Sequence, residues 1–253
     1  MNIHPSLERC QTFINCQLQP KEGAYSSTQS KRAVTISRQA GCGAHAIGEQ
    51  LAGLLQAAGP KDAPPWTVMD RDVVEKALEN HHLPARLAKF MPEDRISEFS
   101  DMLDELFGLH PPSWLLVRNT AETILQLAEL GNVILIGRGA NVITRRMPHV
   151  FHVRIIGSVA RRSELLQEFD HLSAKEALAR IERQDLARKR FVKKYFGADI
   201  DNPLLYHLVI NTDLIPIEKV AGIISHGMLN DAPARHRFTQ KTGQATPALA
   251  SAH

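Results

Sequence analysis

The chain has 253 residues, of which 43% are hydrophobic and 23% are charged, and its formal net charge at pH 7 is +3. This length and composition predict one large domain, or one domain with inserted lobes, that buries a core of its own. The net charge is too small to indicate a nucleic-acid partner, although clustered cations would favour anionic ligands.

The cysteine pattern and the hydropathy exclude further classes. The three cysteines, Cys10, Cys16 and Cys42, show neither the spacing of a disulfide framework nor that of a metal site. The first residues lack the apolar core of a signal peptide, and no apolar run is long enough to span a bilayer. We therefore expect reduced thiols and a cytoplasmic protein.

The first part of the chain contains a glycine loop. Residues 1–31 are polar with weak periodicity and predict a flexible lead-in. An apolar, β-branched run at residues 33–36 is followed by Gly41 and Gly43, and apolar residues then recur at helical spacing over residues 47–55. A strand, a glycine turn and a helix aim backbone N–H groups and the positive end of a helix dipole at one point. The pattern predicts an anion site, most often one for phosphate.

A second strand is predicted at residues 66–69, and Asp70 follows it directly. Charged residues in this position lie at the carboxyl edge of an open sheet, where α/β proteins bind ligands. Asp70 is equally compatible with a plain N-cap of the helix predicted after it. Residues 81–130 contain no strand-like run and predict a helical insertion, either a mobile lobe over a substrate or ordinary helical packing.

A third strand at residues 133–136 is continuously apolar, which is typical of a strand buried in a parallel sheet. It ends in Gly137-Arg138-Gly139. An arginine between two glycines can present its guanidinium group to a phosphate, although a turn with a solvent-exposed arginine has the same sequence. A fourth strand at residues 150–156 leads into a helix that begins at Ser158.

The most charged element spans residues 173–196. Ser173 and Glu176 predict a capping box at its start. Its basic residues are compatible with a solvated face or with nucleic-acid phosphates. Because the element lies between the fourth and fifth strands of a phosphate-binding sheet, we interpret it as a lid that closes on a polyphosphate. A fifth strand at residues 206–210 and a helix at residues 217–228 follow, and residues 230–253 are predicted to be disordered.

Taken together, these stretches resemble the cytidylate kinase-like family, in the nucleoside monophosphate kinase group of P-loop proteins. The resemblance is carried by ISRQAGCGAHAIG, VMDRD, ILIGRGAN, IERQDLARKRFVKKYF and VINTDLIPIEKV. It implies an α/β fold with a five-stranded parallel sheet of P-loop NTPase type, flanked by helices, in a domain at residues 32–229. Within that domain it implies a helical NMP-binding insertion at residues 81–130 and an arginine-rich lid at residues 158–197.

The resemblance also implies substrates and site residues. ATP would be the phosphoryl donor with Mg²⁺ as cofactor, and a nucleoside monophosphate, typically CMP or dCMP, would be the acceptor, rather than nucleic acid or a membrane. Asp70 and Arg138 match residues of the acceptor site. The arginines that match the lid, where they would neutralise charge on the transferred phosphoryl group, are Arg183, Arg188 and Arg190, with Arg161 and Arg162 at the start of the lid.

The loop that would hold the ATP phosphates departs from the pattern GxxxxGK[ST]. In that pattern the lysine spreads the charge of the β- and γ-phosphates and the hydroxyl holds Mg²⁺. Both groups are missing after Gly43, which leaves Arg38 or His45 to supply the positive charge. The residues matched to this loop are Arg38, Gly41, Cys42, Gly43, Ala44, His45 and Ala46. Gly139 also stands where the family has an aspartate after the arginine.

Two other functions fit parts of the sequence. A nucleotide-binding or regulatory protein of the same fold, without catalysis, would need neither the lysine nor the hydroxyl. The loop also fits a relaxed GxGxxG/A dinucleotide pattern, with Asp70 as a conceivable ribose ligand. A dehydrogenase would leave the arginine-rich helix without a purpose. Phosphoryl transfer from ATP to a nucleoside monophosphate is therefore the leading interpretation.

Overall fold

The structure is a computed structural model that describes residues 12–13, 32–60, 63–70, 93–107 and 114–230. Its strands are β1 (Ala33–Arg38), β2 (Thr67–Met69), β3 (Val133–Ile136), β4 (Val150–Ile156) and β5 (Leu208–Asn211). They form one sheet in the order β2-β3-β1-β4-β5, and every neighbouring pair is parallel. The predicted α/β fold with a five-stranded parallel sheet is therefore confirmed.

Helices cover both faces of this sheet. They are α1 (Ala44–Ala58), α2 (Glu93–Phe107), α3 (Leu115–Leu130), α4 (Ala140–Ile143), α5 (Val159–Asp170), α6 (Ala174–Phe196) and α7 (Ile217–Asn230). Side chains alternate along a strand, so Val34 and Ile36 contact the core formed with α1 and α7, whereas Ala33 contacts the core formed with α2 and α3. None of the helices described here is long and apolar enough to cross a membrane.

Local sequence signals determine the starts of the two helices after β4. The Ser158 hydroxyl accepts the N–H of Arg161 at 3.2 Å at the start of α5. Ser173 and Glu176 form the predicted capping box of α6. Each of these bonds satisfies an N–H group that the first turn of a helix leaves without an intrahelical partner.

The strand order brings the loops after β1, β2 and β3 to one edge of the sheet. β3 lies between β2 and β1, with Met69 opposite Leu135 and Ile36 opposite Ile136. Ligands of open α/β sheets bind at the carboxyl edge, where the strand order reverses. The glycine loop, Asp70 and the Gly-Arg-Gly turn all leave the sheet at this edge.

Part of the sequence interpretation lies outside the described residues. This holds for the helix predicted after Asp70, for most of the lead-in and for the predicted tail after Asn230. Phe13 belongs to the lead-in predicted to be flexible, but it is fully buried in the core of α2 and α3, together with Phe99 and Ile124. Burial of such a side chain stabilises a fold by roughly 2 kcal/mol. Phe13 is therefore part of the core, and the prediction of flexibility is wrong at this residue.

The stability of the fold should depend on pH through His152 of β4. The imidazole is buried, and its Nδ1 lies 2.8 Å from the Thr35 hydroxyl. Burial, with the charge of nearby His207, lowers the pKa of His152 from 6.5 to about 3. The unfolded chain therefore binds a proton below pH 6.5 that the folded chain does not bind. Stability is fully present above that pH and decreases as the pH falls.

Denaturant-induced unfolding at pH 7 and pH 5 measures this loss. We expect His152 to contribute a loss of roughly 2 kcal/mol between these two values. His152→Gln retains a hydrogen-bonding side chain but cannot be protonated, so its stability should depend less on pH by about that amount. His226→Gln, on the exposed side of α7, is the control. An unchanged pH dependence in His152→Gln would contradict the prediction.

Candidate active site

The glycine loop between β1 and α1 presents backbone donors at the start of a helix. Gly41 and Gly43 have φ angles of +80° and +66°, which glycine adopts without steric cost. The first N–H groups of α1 have no intrahelical acceptor, and no side chain of the described residues caps them at Gly43. This is the arrangement that binds phosphate at a helix N-terminus.

Cys42 lies in this loop, but its thiol faces the core. The side chain packs with Ile47 and Val220 and is 1% exposed. Burial raises the pKa of the thiol to about 11, so the thiol stays protonated at neutral pH. Cys42 can therefore offer a ligand its backbone but not a thiolate.

The helix α5 closes one side of the loop through Arg162. A side chain at Gly41 would meet the carbonyl oxygen of Arg162 at 2.7 Å, so the glycine permits this approach. The buried guanidinium of Arg162 donates from Nε to the carbonyl of Gly157 and from Nη1 to the carbonyl of Ala40, both at 2.9 Å. Arg161, in contrast, forms an exposed ion pair on the outer side of α5.

Asp185 of α6 connects this helix to the glycine loop and to Arg162 of α5. Its Oδ1 accepts the N–H of Ala40 at 2.7 Å and a longer bond of 3.4 Å from Nη1 of Arg188. Its Oδ2 accepts Nη1 of Arg162 at 2.6 Å. We call these four residues the Asp185 junction. One carboxylate thereby holds the glycine loop, α5 and α6 in a single arrangement.

A cavity of 450 Å³, here called the β3-side cavity, opens at the carboxyl edge of the sheet under α6. Four of the predicted site residues line it, and they come from four different segments: Arg38, Asp70, Arg138 and Arg188. Guanidinium groups match the geometry of carboxylate and phosphate oxygens. Three guanidinium groups and one carboxylate therefore line this cavity, an arrangement that favours an anionic ligand.

The Gly-Arg-Gly turn shapes this cavity in a way that the sequence did not indicate. Gly137, with φ of +87°, leaves space for the guanidinium of Arg38, which a side chain at this position would overlap. Gly139, with φ of +70°, leaves space for the ring of Phe196. Arg138 itself adopts a φ of +54°, and its guanidinium lies 5.6 Å from the ring centroid of Phe191. The glycines therefore admit neighbouring side chains, besides allowing the turn.

A second cavity, of 480 Å³, lies between α5, α6 and the end of β4, and we call it the β4-side cavity. It shares Arg38, Arg188 and Ile200 with the β3-side cavity, so these three residues form the wall between the two cavities. Arg154 of β4 also lines it. This buried arginine donates to the Ser37 hydroxyl at 2.9 Å and to Asp201 at 2.7 Å.

The predicted lid arginines occupy different environments. Arg183 and Arg190 are exposed on α6 and line neither cavity, whereas Arg188 is half-buried and lines both. Burial lowers the pKa of Arg188 from its usual value. His45 is exposed, and its Nδ1 lies 3.8 Å from a carboxylate oxygen of Asp70. The start of α1 therefore lies beside the β3-side cavity.

The sequence matches the model of the cytidylate kinase-like family over residues 33–214, which is more than half of the chain. The chain belongs to this family. No curated protein matches the sequence. Membership supports a nucleotide kinase-like function and small nucleotide substrates.

Solved structures are similar to this cytidylate kinase-like chain to different degrees, all at low sequence identity. An uncharacterized protein from Eubacterium ventriosum has a TM-score of 0.59 at 15% identity, over 78% of this chain and 98% of that chain. A gluconokinase from Sinorhizobium meliloti 1021 has a TM-score of 0.39 at 11% identity, over 79% and 93%. The protein TT1252 from Thermus thermophilus has a TM-score of 0.33 at 15% identity, over 78% and 97%.

The strand order argues against the dinucleotide-binding interpretation of the glycine loop. In the dinucleotide-binding fold β2 is the neighbour of β1, and an acidic residue after it binds the ribose. In this kinase-like chain β3 separates β2 from β1. Asp70 therefore leaves the sheet two strands away from β1, and its carboxylate lies in the β3-side cavity, 3.8 Å from Nδ1 of His45.

Three residues that line the two cavities were not identified from the sequence: Asn141, Arg154 and Asp185. A charged residue inside the apolar strand β4 was a signal for Arg154. For Asp185 the signal was helical spacing, because residues 181, 185, 188 and 192 lie on one face of α6, and Ile181 and Val192 are buried. Asn141 follows the Gly-Arg-Gly turn within the ILIGRGAN stretch.

The Asp185 junction should contribute strongly to stability. Asp185→Ala would leave the buried guanidinium of Arg162 without its carboxylate and the Ala40 N–H without its acceptor. We expect a loss of roughly 3 kcal/mol in the free energy of unfolding, at the low end for a broken buried pair because the Asp185 side chain is 27% exposed. Glu164→Ala, which breaks the exposed pair with Arg161, should cost less than about 0.5 kcal/mol. Equal effects in denaturant-induced unfolding would refute this role.

The first glycine of the Gly-Arg-Gly turn should not tolerate a side chain. Gly137→Ala adds a Cβ at a positive φ and displaces the guanidinium end of Arg38, so we expect destabilisation by about 1–2 kcal/mol, mainly from the backbone conformation. Gly53→Ala is the matched control, because Gly53 lies inside α1 and nothing lies within 4 Å of the added Cβ. It should stabilise the protein by up to about 1 kcal/mol. Thermal unfolding of both variants would contradict the prediction if the two shifts had the same sign.

Proposed function

We propose that the protein transfers the γ-phosphoryl group of ATP to a nucleoside monophosphate, with CMP or dCMP as the leading acceptors. The observation that carries the proposal is the convergence of Arg38, Arg138 and Arg188 on the β3-side cavity, beside the start of α1. Two anionic substrates must meet in this reaction, and fixed positive charge has to offset their repulsion and stabilise the transition state. Membership in the cytidylate kinase-like family supports the same substrate class.

The donor phosphates would bind at the start of α1. The backbone N–H groups of Ala44, His45 and Ala46 are the donors there, and the helix dipole favours an anion at this end. In place of the missing lysine we assign Arg38, because it lines the cavity and an arginine is always charged. The side chain of His45 is 65% exposed, which makes it the weaker candidate.

Mg²⁺ fits this site in its usual mode. The ion retains several water ligands and binds one or two carboxylates together with substrate phosphates. Asp70 lines the β3-side cavity and could supply that carboxylate. No cluster of three or more His, Cys, Asp or Glu side chains that could hold a metal occurs in the described part of the chain. When bound, the ion would neutralise charge on the donor phosphates.

The acceptor phosphate would lie against Arg138 and Arg188. It is already an anion, so the reaction needs no general base on the protein. Arg188 is our main candidate for a catalytic residue, since it reaches the cavity from α6 and forms the wall to the β4-side cavity. Arg183 and Arg190, which are exposed, could contact the phosphoryl group after a movement of α6.

Nucleotide binding without turnover is the second candidate function. One observation favours it: the Ala40 N–H of the glycine loop is already bound to Asp185 at 2.7 Å, so this donor is not available to a phosphate in the arrangement seen here. The lysine and the hydroxyl of the usual loop are missing as well. Such a protein would bind ATP and release it unchanged.

ADP production from ATP and Mg²⁺, with each nucleoside monophosphate in turn, tests the proposed function. We expect turnover that requires an acceptor and falls by about 10³-fold in Arg188→Ala, on the scale of an arginine that stabilises transferring phosphoryl charge. Arg180→Ala is the control, since Arg180 lies on the same helix in an exposed pair with Asp170. It should retain wild-type activity.

The other outcomes are equally informative. Full activity in Arg188→Ala would refute the role of this arginine, and the same measurement on Arg183→Ala and Arg190→Ala would then test the other lid residues. Absence of turnover with every acceptor, in protein that binds ATP, would favour nucleotide binding without catalysis.

A further inference from the structure

Asn141 is a buried amide at the edge of the β3-side cavity. It lies on α4, directly after the Gly-Arg-Gly turn, is 6% exposed and lines the cavity. Its carboxamide makes no hydrogen bond to any other residue that the structure describes. The described part of the protein does not fully enclose the oxygen and the nitrogen of this carboxamide. They therefore reach the free volume of the cavity.

A buried polar group in this state needs a partner other than the residues that the structure describes, such as water or a ligand. Nearly all buried side-chain polar groups in proteins are hydrogen-bonded, and a carboxamide offers two donors and one acceptor atom. Gln126 of α3 shows the contrast. It is also buried, but its Nε2 is 3.4 Å from Glu122 and its Oε1 is enclosed, away from both cavities. Of these two amides, Asn141 is the one that a ligand can reach.

The β3-side cavity offers a ligand both charged and neutral polar side chains. Arg38, Arg138 and Arg188 can bind an anion, but they do not distinguish one monophosphate from another. Asn141 carries no charge, and it follows Arg138 by three residues in the lining of the same cavity. A ligand whose phosphate lies on Arg138 would bring a neighbouring neutral part toward Asn141.

We infer that Asn141 is a specificity-determining residue, which binds a neutral group of the acceptor that both donates and accepts hydrogen bonds. This inference rests on the proposed function, because it takes the acceptor to be a nucleoside monophosphate. Two parts of such a molecule have this chemistry and differ between acceptors, the 2′-hydroxyl of the ribose and the amide-like edge of the base, whereas the 3′-hydroxyl is common to all of them. A site built to bond such a group discriminates strongly against ligands that lack it.

Calorimetric titration measures the contribution of Asn141 to ligand affinity, and it does not require turnover. CMP, dCMP and ribose 5-phosphate are titrated into the wild-type protein, Asn141→Ala and Gln126→Ala. We expect Asn141→Ala to weaken CMP binding by roughly 10-fold or more, and Gln126→Ala to leave it unchanged. Asn141→Ser is the second variant, which retains a small polar side chain if the alanine variant does not fold.

The three ligands distinguish the two sources of the contact. If the base is bound, Asn141→Ala weakens CMP and dCMP but not ribose 5-phosphate. If the 2′-hydroxyl is bound, it weakens CMP and ribose 5-phosphate but not dCMP. Unchanged affinities, or equal losses for all three ligands, would overturn the inference, because Asn141 would then act on the phosphate, on the shared 3′-hydroxyl or on the fold, none of which distinguishes one acceptor from another.

The failure of this inference and that of the proposed function have different signatures. If ligand affinity depends on Asn141 but the protein shows no turnover, the inference is supported and the proposed phosphoryl transfer is refuted. Turnover with an unchanged affinity in Asn141→Ala does the reverse. A wild-type protein that binds none of the three ligands would overturn both.

Discussion

The Asp185 junction is the interaction on which the rest of the site depends. A carboxylate that is largely removed from water is costly unless donors surround it, and Asp185 has three, from Ala40, Arg162 and Arg188. Each donor belongs to a different part of the site. Through this one group the glycine loop takes its position, α5 approaches the loop, and α6 lies across the carboxyl edge of the sheet, where Arg188 separates the two cavities.

A second set of contacts holds the C-terminal end of α6 on the helical insertion. The rings of Tyr195 and Trp114 are 4.8 Å apart, and those of Phe196 and Phe107 are 5.9 Å apart. Phe196 also covers Gly139 of the Gly-Arg-Gly turn. The helix interpreted as a lid is therefore fixed at its middle by charge and at its end by aromatic packing. Any opening of the lid has to break the first contact or carry α2 and α3 along.

Sequence patterns predicted the parts of this fold that depend on neighbouring residues. The five strands, the capping box at Ser173 and the glycine turn are local, and the structure places them as predicted. The strand order, the partners of Asp185 and the burial of Phe13 depend on contacts between segments far apart in the chain. A single sequence does not show which of these segments are neighbours. Arg188 is the intermediate case, because its position on the buried face of α6 was readable from helical spacing.

The position of positive charge follows from the same long-range packing. In the usual loop a lysine at the start of the helix lies over the donor phosphates. Here that position is Ala44-His45-Ala46, and one of the guanidinium groups in the β3-side cavity comes from the end of β1, where the missing side chain of Gly137 gives Arg38 its space. An arginine fork binds two oxygens in a plane, whereas a lysine acts as a point charge. The missing side chain of Gly137 therefore lets a guanidinium fork from the end of β1 line a cavity whose glycine loop lacks the usual lysine.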